Sequence, residues 1–213
     1  MKKADSLKDM LYKNLLDDIT RGLYPAGSIV TERMLTEKYQ VSKTPVREAL
    51  IQLCNEGIIL NMPRYGYQVV QIGTKDIIDV LELRIILEIS ALEKTLPVIS
   101  ERQIDALQKN TEQAGSMANE KDILKHWEHN TSFHLLLCSF SGNVFFYEHL
   151  KQVLEFCARA ASQYFRHIWN ENKSSDGSNH RLLVELIRKK KHTEAKKLLV
   201  TDIRAFTDSL PRL

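Results

Sequence analysis

The chain has 213 residues, of which 43% are hydrophobic and 27% charged, so it can form one large or two modest globular domains. Its formal net charge is only +3, and residues 1–73 carry ten Lys and Arg against eight Asp and Glu, which excludes a strongly basic nucleic-acid-binding composition. It shows no signal peptide and no apolar run of about 20 residues, which predicts a cytoplasmic protein with no membrane segment.

The first predicted element is an amphipathic helix over residues 7–22. Apolar residues recur there with the 3.6-residue period of a helix, and Gly22 closes it. The members of this stripe are Leu7, Met10, Leu11, Leu15 and Ile19. Residues 23–30 follow as an extended connection, since Pro25 and Gly27 break any helix.

Two short helices joined by a tight turn are predicted next. Thr31 is a good N-cap for a helix over 32–39, residues 40–41 form the turn, and Ser42 caps the second helix. Pro45 falls in the first turn of that helix, where its missing N–H is no loss, and Gly57 lies just past its end.

The second of these helices has a polar leading end and an apolar back. Its apolar face is formed by Val46, Ala49, Leu50 and Leu53. Lys43, Thr44 and Arg47 lie outside that arc, near the N-terminal end of the helix. This layout is typical of a recognition helix that enters the major groove of DNA, so the segment predicts a DNA-binding protein.

A small hairpin completes the N-terminal region. Residues 58–60 and 67–71 predict two strands around a wing at 61–66, which carries Arg64 and Gly66. A glycine at this position would let the hairpin turn sharply and approach the minor groove. The pair Gly73-Thr74 is the predicted boundary between domains 1–73 and 74–213.

The rest of the chain shows only helical patterns. Thr74 can cap a long helix from Lys75 to about Leu96, which Pro97 ends. Further helices are predicted at 100–118, 122–141, 143–169, 179–190 and 192–209, with a polar loop at 170–179. The predicted fold class is therefore mainly α, a winged helix-turn-helix followed by an antiparallel helical bundle. The cysteines, Cys54, Cys138 and Cys157, have no metal or redox spacing and are predicted to be reduced thiols in the core.

The N-terminal motifs resemble a known family. GSIVTERMLTEKYQVSKTPVREAL at residues 27–50, followed by L-x-x-EGII and the wing RYGYQV, resembles the winged helix-turn-helix of the GntR family of bacterial transcription regulators. The helical remainder looks like the FadR branch, whose FCD-type effector domain is a helical bundle that often holds a metal. The resemblance spans essentially the whole chain, with sparser marks in the second half.

Several basic and small residues are candidates for DNA contact. Lys43 and Arg47 are one turn apart, and arginine suits bidentate recognition of guanine. The resemblance implies that DNA-contacting positions are occupied by Arg33, Lys43, Thr44, Arg47 and Gly66, with Arg64 in the wing. The family more often has Arg at the position of Lys43, and Lys, a single point charge, suits a backbone contact. The alternative for each charge is a solvated helix surface.

Four polar side chains lie on the apolar faces of predicted bundle helices. They are Asn130, His134, His180 and Asp202. Buried polar groups need partners, so these residues either satisfy one another by hydrogen bonds or share a cation.

The resemblance favours the cation. Metal-binding members of this branch typically show an Asp and a His four residues apart, then two His separated by twenty-two residues. NTSFH matches the first pair with Asn130 in place of Asp, and His180 and Asp202 match the second pair with Asp in place of His. Both arrangements have one carboxylate and three neutral donors, which suits a divalent ion such as zinc, nickel or manganese.

Arg84 stands in an otherwise apolar helical stretch. One interpretation is an i,i+4 ion pair with Glu88. The resemblance implies instead that Arg84 faces the effector cavity, where a guanidinium beside a metal would receive a small carboxylate.

The leading functional hypothesis is a ligand-responsive transcription regulator, a repressor that binds a near-palindromic operator as a homodimer and senses a small organic acid. Two half-sites are needed because one recognition helix reads few base pairs. The alternatives are a helical metalloenzyme with an accessory DNA-binding domain and an architectural DNA binder without an effector. No Glu-x-x-His pair of the di-iron type, activated nucleophile or Gly-rich phosphate loop supports an enzyme.

Overall fold

The computed structural model describes residues 6–115, 123–165 and 178–208. The chain separates into two compact units, Met1–Ile72 (the N-terminal unit) and Gly73–Leu213 (the helical unit). The described residues form the helices α1 Leu7–Thr20, α2 Glu32–Tyr39, α3 Lys43–Asn55, α4 Thr74–Thr95, α5 Glu101–Gly115, α6 Ile123–Ser139, α7 Val144–Phe165, α8 Ser178–Arg188 and α9 His192–Asp208, and the strands β1 Ile29–Val30, β2 Ile59–Met62 and β3 Gly66–Val69. The protein is mainly helical, as the sequence predicts.

The N-terminal unit is built on α1 and α3, which pack against each other. The buried face of α3 is the predicted one, with Val46, Ala49, Leu50 and Leu53 all at most 2% exposed. On α1 the predicted stripe is only partly buried. Leu11, Leu15 and Ile19 are buried, whereas Leu7 and Met10 are each 46% exposed.

The sheet contains a strand, β1, that lies within the predicted extended connection at residues 23–30. The strand order is β1-β3-β2, with both neighbours antiparallel to β3. Val30 pairs with Tyr67, and Met62 pairs with Gly66. The strand β2 therefore extends further than predicted, and the wing turn is confined to residues 63–65 instead of 61–66.

The N-cap of α2 agrees with the sequence-based prediction, whereas the N-caps of α3 and α4 each differ from it in one respect. The Thr31 side chain accepts from the Met34 N–H at 3.2 Å, as predicted. Ser42 occupies the N-cap of α3 but makes no side-chain cap hydrogen bond. Gly73, and not Thr74, is the N-cap of α4, and the Gly73 N–H donates to the Asp76 carboxylate at 2.9 Å. The Asp76 carboxylate thus accepts from the N–H of the N-cap residue, and an acidic side chain in the first turn is also favourable to the helix dipole.

In the helical unit, α4 packs against α6, α7 and α9, and α8 packs against α5 and α9. This arrangement brings the polar residues of α4, α6, α8 and α9 toward one interior region. The predicted loop at 170–179 and the predicted helix ends at 116–118, 122, 166–169 and 209 fall wholly or largely outside the described residues. Among the described residues, no helix is both long and apolar enough to span a bilayer.

Candidate DNA-binding face and candidate metal site

The leading end of α3 is exposed while its back is buried. Lys43, Thr44 and Arg47 all face solvent at the N-terminal end of the helix. Since the apolar residues of the same helix form the core of the N-terminal unit, the polar end is held in a fixed orientation.

Two arginines of this face are already paired with glutamates. Arg47 Nε donates to Glu32 Oε1 at 2.7 Å, which links α3 to the first residue of α2. Arg33 Nε donates to Glu37 Oε1 at 2.7 Å along α2, and both side chains are largely exposed. The Glu32 contact was not anticipated, since no helical spacing joins residues fifteen positions apart.

The wing tip is a three-residue turn with an unusual backbone. Arg64 is exposed and has φ 72°, a left-handed conformation that few residues other than glycine adopt. Tyr65 beside it is 75% exposed. Gly66 has φ 122°, which suits the predicted sharp turn, and a Cβ there would also lie 2.7 Å from the Val30 carbonyl oxygen. Gly66 thus permits β1 to approach β3 closely.

Three donor atoms converge inside the helical unit, and we call them the donor triangle. His134 Nε2 and Asp202 Oδ2 are 3.3 Å apart, His180 Nε2 and Asp202 Oδ2 are 3.4 Å apart, and the two Nε2 atoms are 3.3 Å apart. The residues come from α6, α9 and α8, and both histidines are buried. The separations exceed the roughly 2.9 Å that an N–H···O hydrogen bond prefers. Three lone-pair-bearing atoms at this spacing are suited to sharing a cation.

Neighbouring side chains fix the rings of both histidines. His134 Nδ1 lies 2.6 Å from Glu88 Oε2, so the carboxylate holds the Nδ1 edge of the ring. The opposite nitrogen, Nε2, is the atom that belongs to the donor triangle. The His180 ring stacks on Phe133, with centroids 4.1 Å apart and planes 9° from parallel. Glu88 appeared in the sequence only as a possible partner of Arg84. Phe133 was missed, because no sequence pattern marks an aromatic residue that supports a histidine on another helix.

The electrostatics of the cluster favour charged acids. Burial raises the pKa of the Asp202 carboxyl, but its contacts with the His134 and His180 rings hold that pKa well below its usual range. Burial likewise raises the pKa of Glu88, and the charges of His134 and Arg84 outweigh it and lower that pKa. Burial lowers the pKa of His134, but the Glu88 carboxylate raises it above its ordinary value. Burial dominates at His180 and lowers its pKa.

Two buried polar atoms near this region have no hydrogen-bond partner among the described residues. They are Asn130 Oδ1 and Arg84 Nη2. Asn130 lies one turn before His134 on α6, as the predicted ligand set requires. Arg84 is 2% exposed, its Nε donates to Glu88 Oε1 at 2.6 Å, and the Cys157 thiol lies beside its guanidinium. The ion pair with Glu88 is therefore present, yet it leaves part of the guanidinium available.

Among the remaining histidines, His126 interacts electrostatically with His180 and Asp202. Burial and the charge of His180 lower its pKa. His149 is exposed on α7, His192 is half-buried on α9, and His167 lies outside the described residues. The cysteines are free thiols, with Cys138 and Cys157 buried and Cys54 half-buried.

A winged helix-turn-helix unit followed by a separate helical unit is the architecture of a DNA-binding transcription regulator. Comparisons with known proteins agree. Residues 7–69 match the bacterial regulatory proteins of the gntR family, and residues 79–205 match the FCD domain. The chain belongs to the GntR family of bacterial transcription regulators and carries an FCD domain. Because these domains are those of regulators and not of enzymes, the metalloenzyme alternative is set aside.

Relatives and solved structures support this assignment. The chain is similar to the uncharacterized HTH-type transcriptional regulator YdhC of Bacillus subtilis, with 26% identity over 87% of this chain and 82% of that protein. It is 28% identical to the HTH-type transcriptional repressor RspR of Escherichia coli over 62% of this chain and 58% of RspR, less than two thirds of the repressor's length. The fold resembles that of E. coli McbR/YncC, with a TM-score of 0.77 at 20% identity over 94% of this chain and 95% of that one.

Proposed function

We propose that this regulator is a repressor that holds a divalent metal in its helical unit, binds a small organic acid there, and binds its operator as a homodimer. The donor triangle is the observation that carries the proposal. A purely architectural DNA binder would need no such convergence of buried polar atoms, since each costs free energy when it lacks a partner.

The residues of the cluster fit a metal. His134, His180 and Asp202 supply two imidazole nitrogens and one carboxylate oxygen, and the orphaned Asn130 Oδ1 is a candidate fourth donor. The sides of the donor triangle are 3.3, 3.3 and 3.4 Å, close enough for the three atoms to share one divalent ion such as zinc, nickel or manganese. A bound ion would supply a Lewis-acidic positive charge for an anionic ligand.

Arg84 is the proposed receptor for the organic acid. Its Nη2 is buried and lacks a partner among the described residues, so a carboxylate that accepts a hydrogen bond from it would remove an unfavourable desolvated donor. An anion that also contacts the metal would bind one orientation of the DNA-binding units better than another. The anion can change the affinity for the operator by no more than the difference between its own affinities for the two orientations.

The proposed DNA contacts are the exposed side chains of α2, α3 and the wing. Arg47 would read a base edge, and Lys43 and Thr44 would contact the backbone at the leading end of α3. Arg33 and Arg64 would extend the contact on either side, and Gly66, with φ 122°, would let the wing turn sharply and approach the minor groove.

Dimerisation is proposed because a single recognition helix reads one half-site. The described chain exposes apolar side chains on α4 that a partner subunit could cover. Ile78 is 45% exposed, Leu83 46% and Ile86 63%. Exposed apolar surface of this kind on a long helix is typical of a subunit interface. Sedimentation at micromolar concentration should show a dimer, and a strictly monomeric protein with one protomer per operator would refute it.

The assignment as a repressor is supported by named relatives. RspR is a transcriptional repressor, and a further relative is the gluconate operon transcriptional repressor of Bacillus subtilis, 33% identical over 43% of this chain and 37% of that protein. Sugar acids such as gluconate are therefore sensible first probes for the organic acid.

The decisive experiment is elemental analysis of protein purified without chelator, followed by thermal-shift screening of organic acids with and without added zinc. Wild-type protein should retain about one equivalent of metal and should gain thermal stability from the acid only when the metal is present. His134→Ala should lose the metal, whereas His149→Ala, a histidine on the exposed side of α7, should retain it. A wild-type site that stays empty after saturation with zinc, nickel and manganese would refute the metal and return the cluster to a hydrogen-bonded core.

A further inference from the structure

Glu88 lies between two residues that the proposed function gives to different ligands. It is 3% exposed on α4, and each of its oxygens has its own partner. Oε1 accepts from Arg84 Nε at 2.6 Å, and Oε2 lies 2.6 Å from His134 Nδ1. One carboxylate therefore touches both the anion receptor and a metal donor.

We propose that Glu88 is a positioning residue that holds His134 and Arg84 together, so that metal binding and anion binding are coupled through its carboxylate. The inference rests on the proposed metal site and extends it to a residue outside the ligand set. Glu88 itself contacts neither ligand.

The contact with His134 determines which ring nitrogen can bind a cation. A carboxylate next to Nδ1 requires a hydrogen on Nδ1, which leaves the lone pair of the neutral ring on Nε2. Nε2 is the atom that lies 3.3 Å from Asp202 Oδ2 and 3.3 Å from His180 Nε2. The carboxylate thus selects the tautomer that the donor triangle needs.

The contact with Arg84 determines which guanidinium atoms remain available. A carboxylate that served only as a structural ion-pair partner could accept two parallel hydrogen bonds from the guanidinium fork. Glu88 instead accepts from Nε with one oxygen and gives the other to His134, and Arg84 Nη2 is left buried without a partner among the described residues. This division of the two oxygens distinguishes a positioning role from an ordinary buried salt bridge.

The shared carboxylate predicts a reciprocal effect between the ligands. Metal on His134 fixes the ring against Glu88, and Glu88 in turn fixes the plane of the Arg84 guanidinium. If metal strengthens binding of an anion by some factor, the anion must strengthen binding of the metal by the same factor.

The test is zinc affinity of the full-length Glu88→Gln variant, measured by competition with a chromophoric chelator. Glutamine has the same size, but its amide has only one oxygen and cannot accept from both Arg84 and His134. Loss of the supporting carboxylate should weaken zinc binding by about 10–100-fold. The matched control is Glu93→Gln on the same helix, whose carboxylate accepts from Lys196 Nζ at 2.9 Å near the surface. It should bind zinc as the wild type does.

A second readout separates positioning from general destabilisation. Cobalt(II) bound to the wild type should give a visible absorption spectrum, and Glu88→Gln should shift or weaken that absorption while its circular dichroism remains that of a folded protein. Unchanged zinc affinity and unchanged cobalt absorption in Glu88→Gln would overturn the inference, as would an equal loss in Glu93→Gln. A wild-type protein that binds no zinc would overturn the proposed metal site itself, which is a distinguishable result.

Discussion

Replacing Arg84 with alanine should destabilise the helical unit strongly, even before any ligand is considered. Arg84 is 2% exposed and its guanidinium lies against the buried Glu88 carboxylate. The variant would leave that carboxylate with His134 as its remaining partner among the described residues. Breaking a buried ion pair from one side costs about 3–5 kcal/mol, because the surviving charge stays desolvated. At about 2–4 °C per kcal/mol for a protein of this size, the midpoint of thermal unfolding should fall by roughly 6–20 °C.

The measurement should be made on metal-free protein near neutral pH. The folded-state pKa of Glu88 is lowered, so its stabilising contribution is present above its unfolded-state pKa and is lost as the pH falls through the folded-state value. Near neutrality the wild-type carboxylate is therefore charged, and the full effect of removing Arg84 is seen.

The matched control is Arg188→Ala, which breaks an exposed pair with Asp105 at a distance of 2.8 Å. That pair should contribute about 0–1 kcal/mol, because solvent screens it. If Arg84→Ala unfolds at the same temperature as Arg188→Ala, the assignment of a structural ion pair to Arg84 is wrong. Loss of response to an organic acid in Arg84→Ala is interpretable only with this control, and Arg84→Lys, which keeps a cation near Glu88, is the better variant for that purpose.

Three further predictions follow from the N-terminal unit and the thiols. Arg47→Ala should weaken operator binding by about 1–3 kcal/mol and relax preference at one base pair per half-site, and equal binding of operator and random DNA by variant and wild type would contradict this placement of α3. Gly66→Ala should cost about 3 kcal/mol, more than Gly57→Ala at about 1 kcal/mol. Both glycines have positive φ, but only a Cβ at Gly66 meets backbone, the Val30 oxygen at 2.7 Å, so equal losses in denaturant unfolding would count against the close approach of β1. Burial raises the pKa of Cys138 to about 11, so at pH 8 it should react with iodoacetamide far more slowly in native than in denatured protein, as peptide mapping can check.

Local sequence signals were sufficient for the helix-turn-helix. Thr31, Pro45 and the apolar spacing of α3 act within a few residues of one another, so the bounds of α2 and the buried face of α3 follow from the sequence. The two-residue strand β1 could not be predicted in this way. It exists because Ile29 and Val30 pair with a strand almost forty residues later. The need for glycine at position 66 is also non-local, because a Cβ there would meet the Val30 carbonyl oxygen of β1.

In the helical unit too, some features follow from local sequence patterns and others only from tertiary packing. Periodicity placed His134 and His180 on buried faces, and the structure buries both. Periodicity specifies which face of a helix is apolar, but it does not specify which faces meet or at what distance. Only the packing of α4, α6, α8 and α9 decides that Asp202 lies within 3.4 Å of two histidines and that Glu88 joins Arg84 to His134. Apart from the i,i+4 pair Arg84–Glu88, those contacts join side chains 22 to 68 positions apart, so the chemistry of the site is determined by tertiary structure, while the sequence determines the helices that carry it.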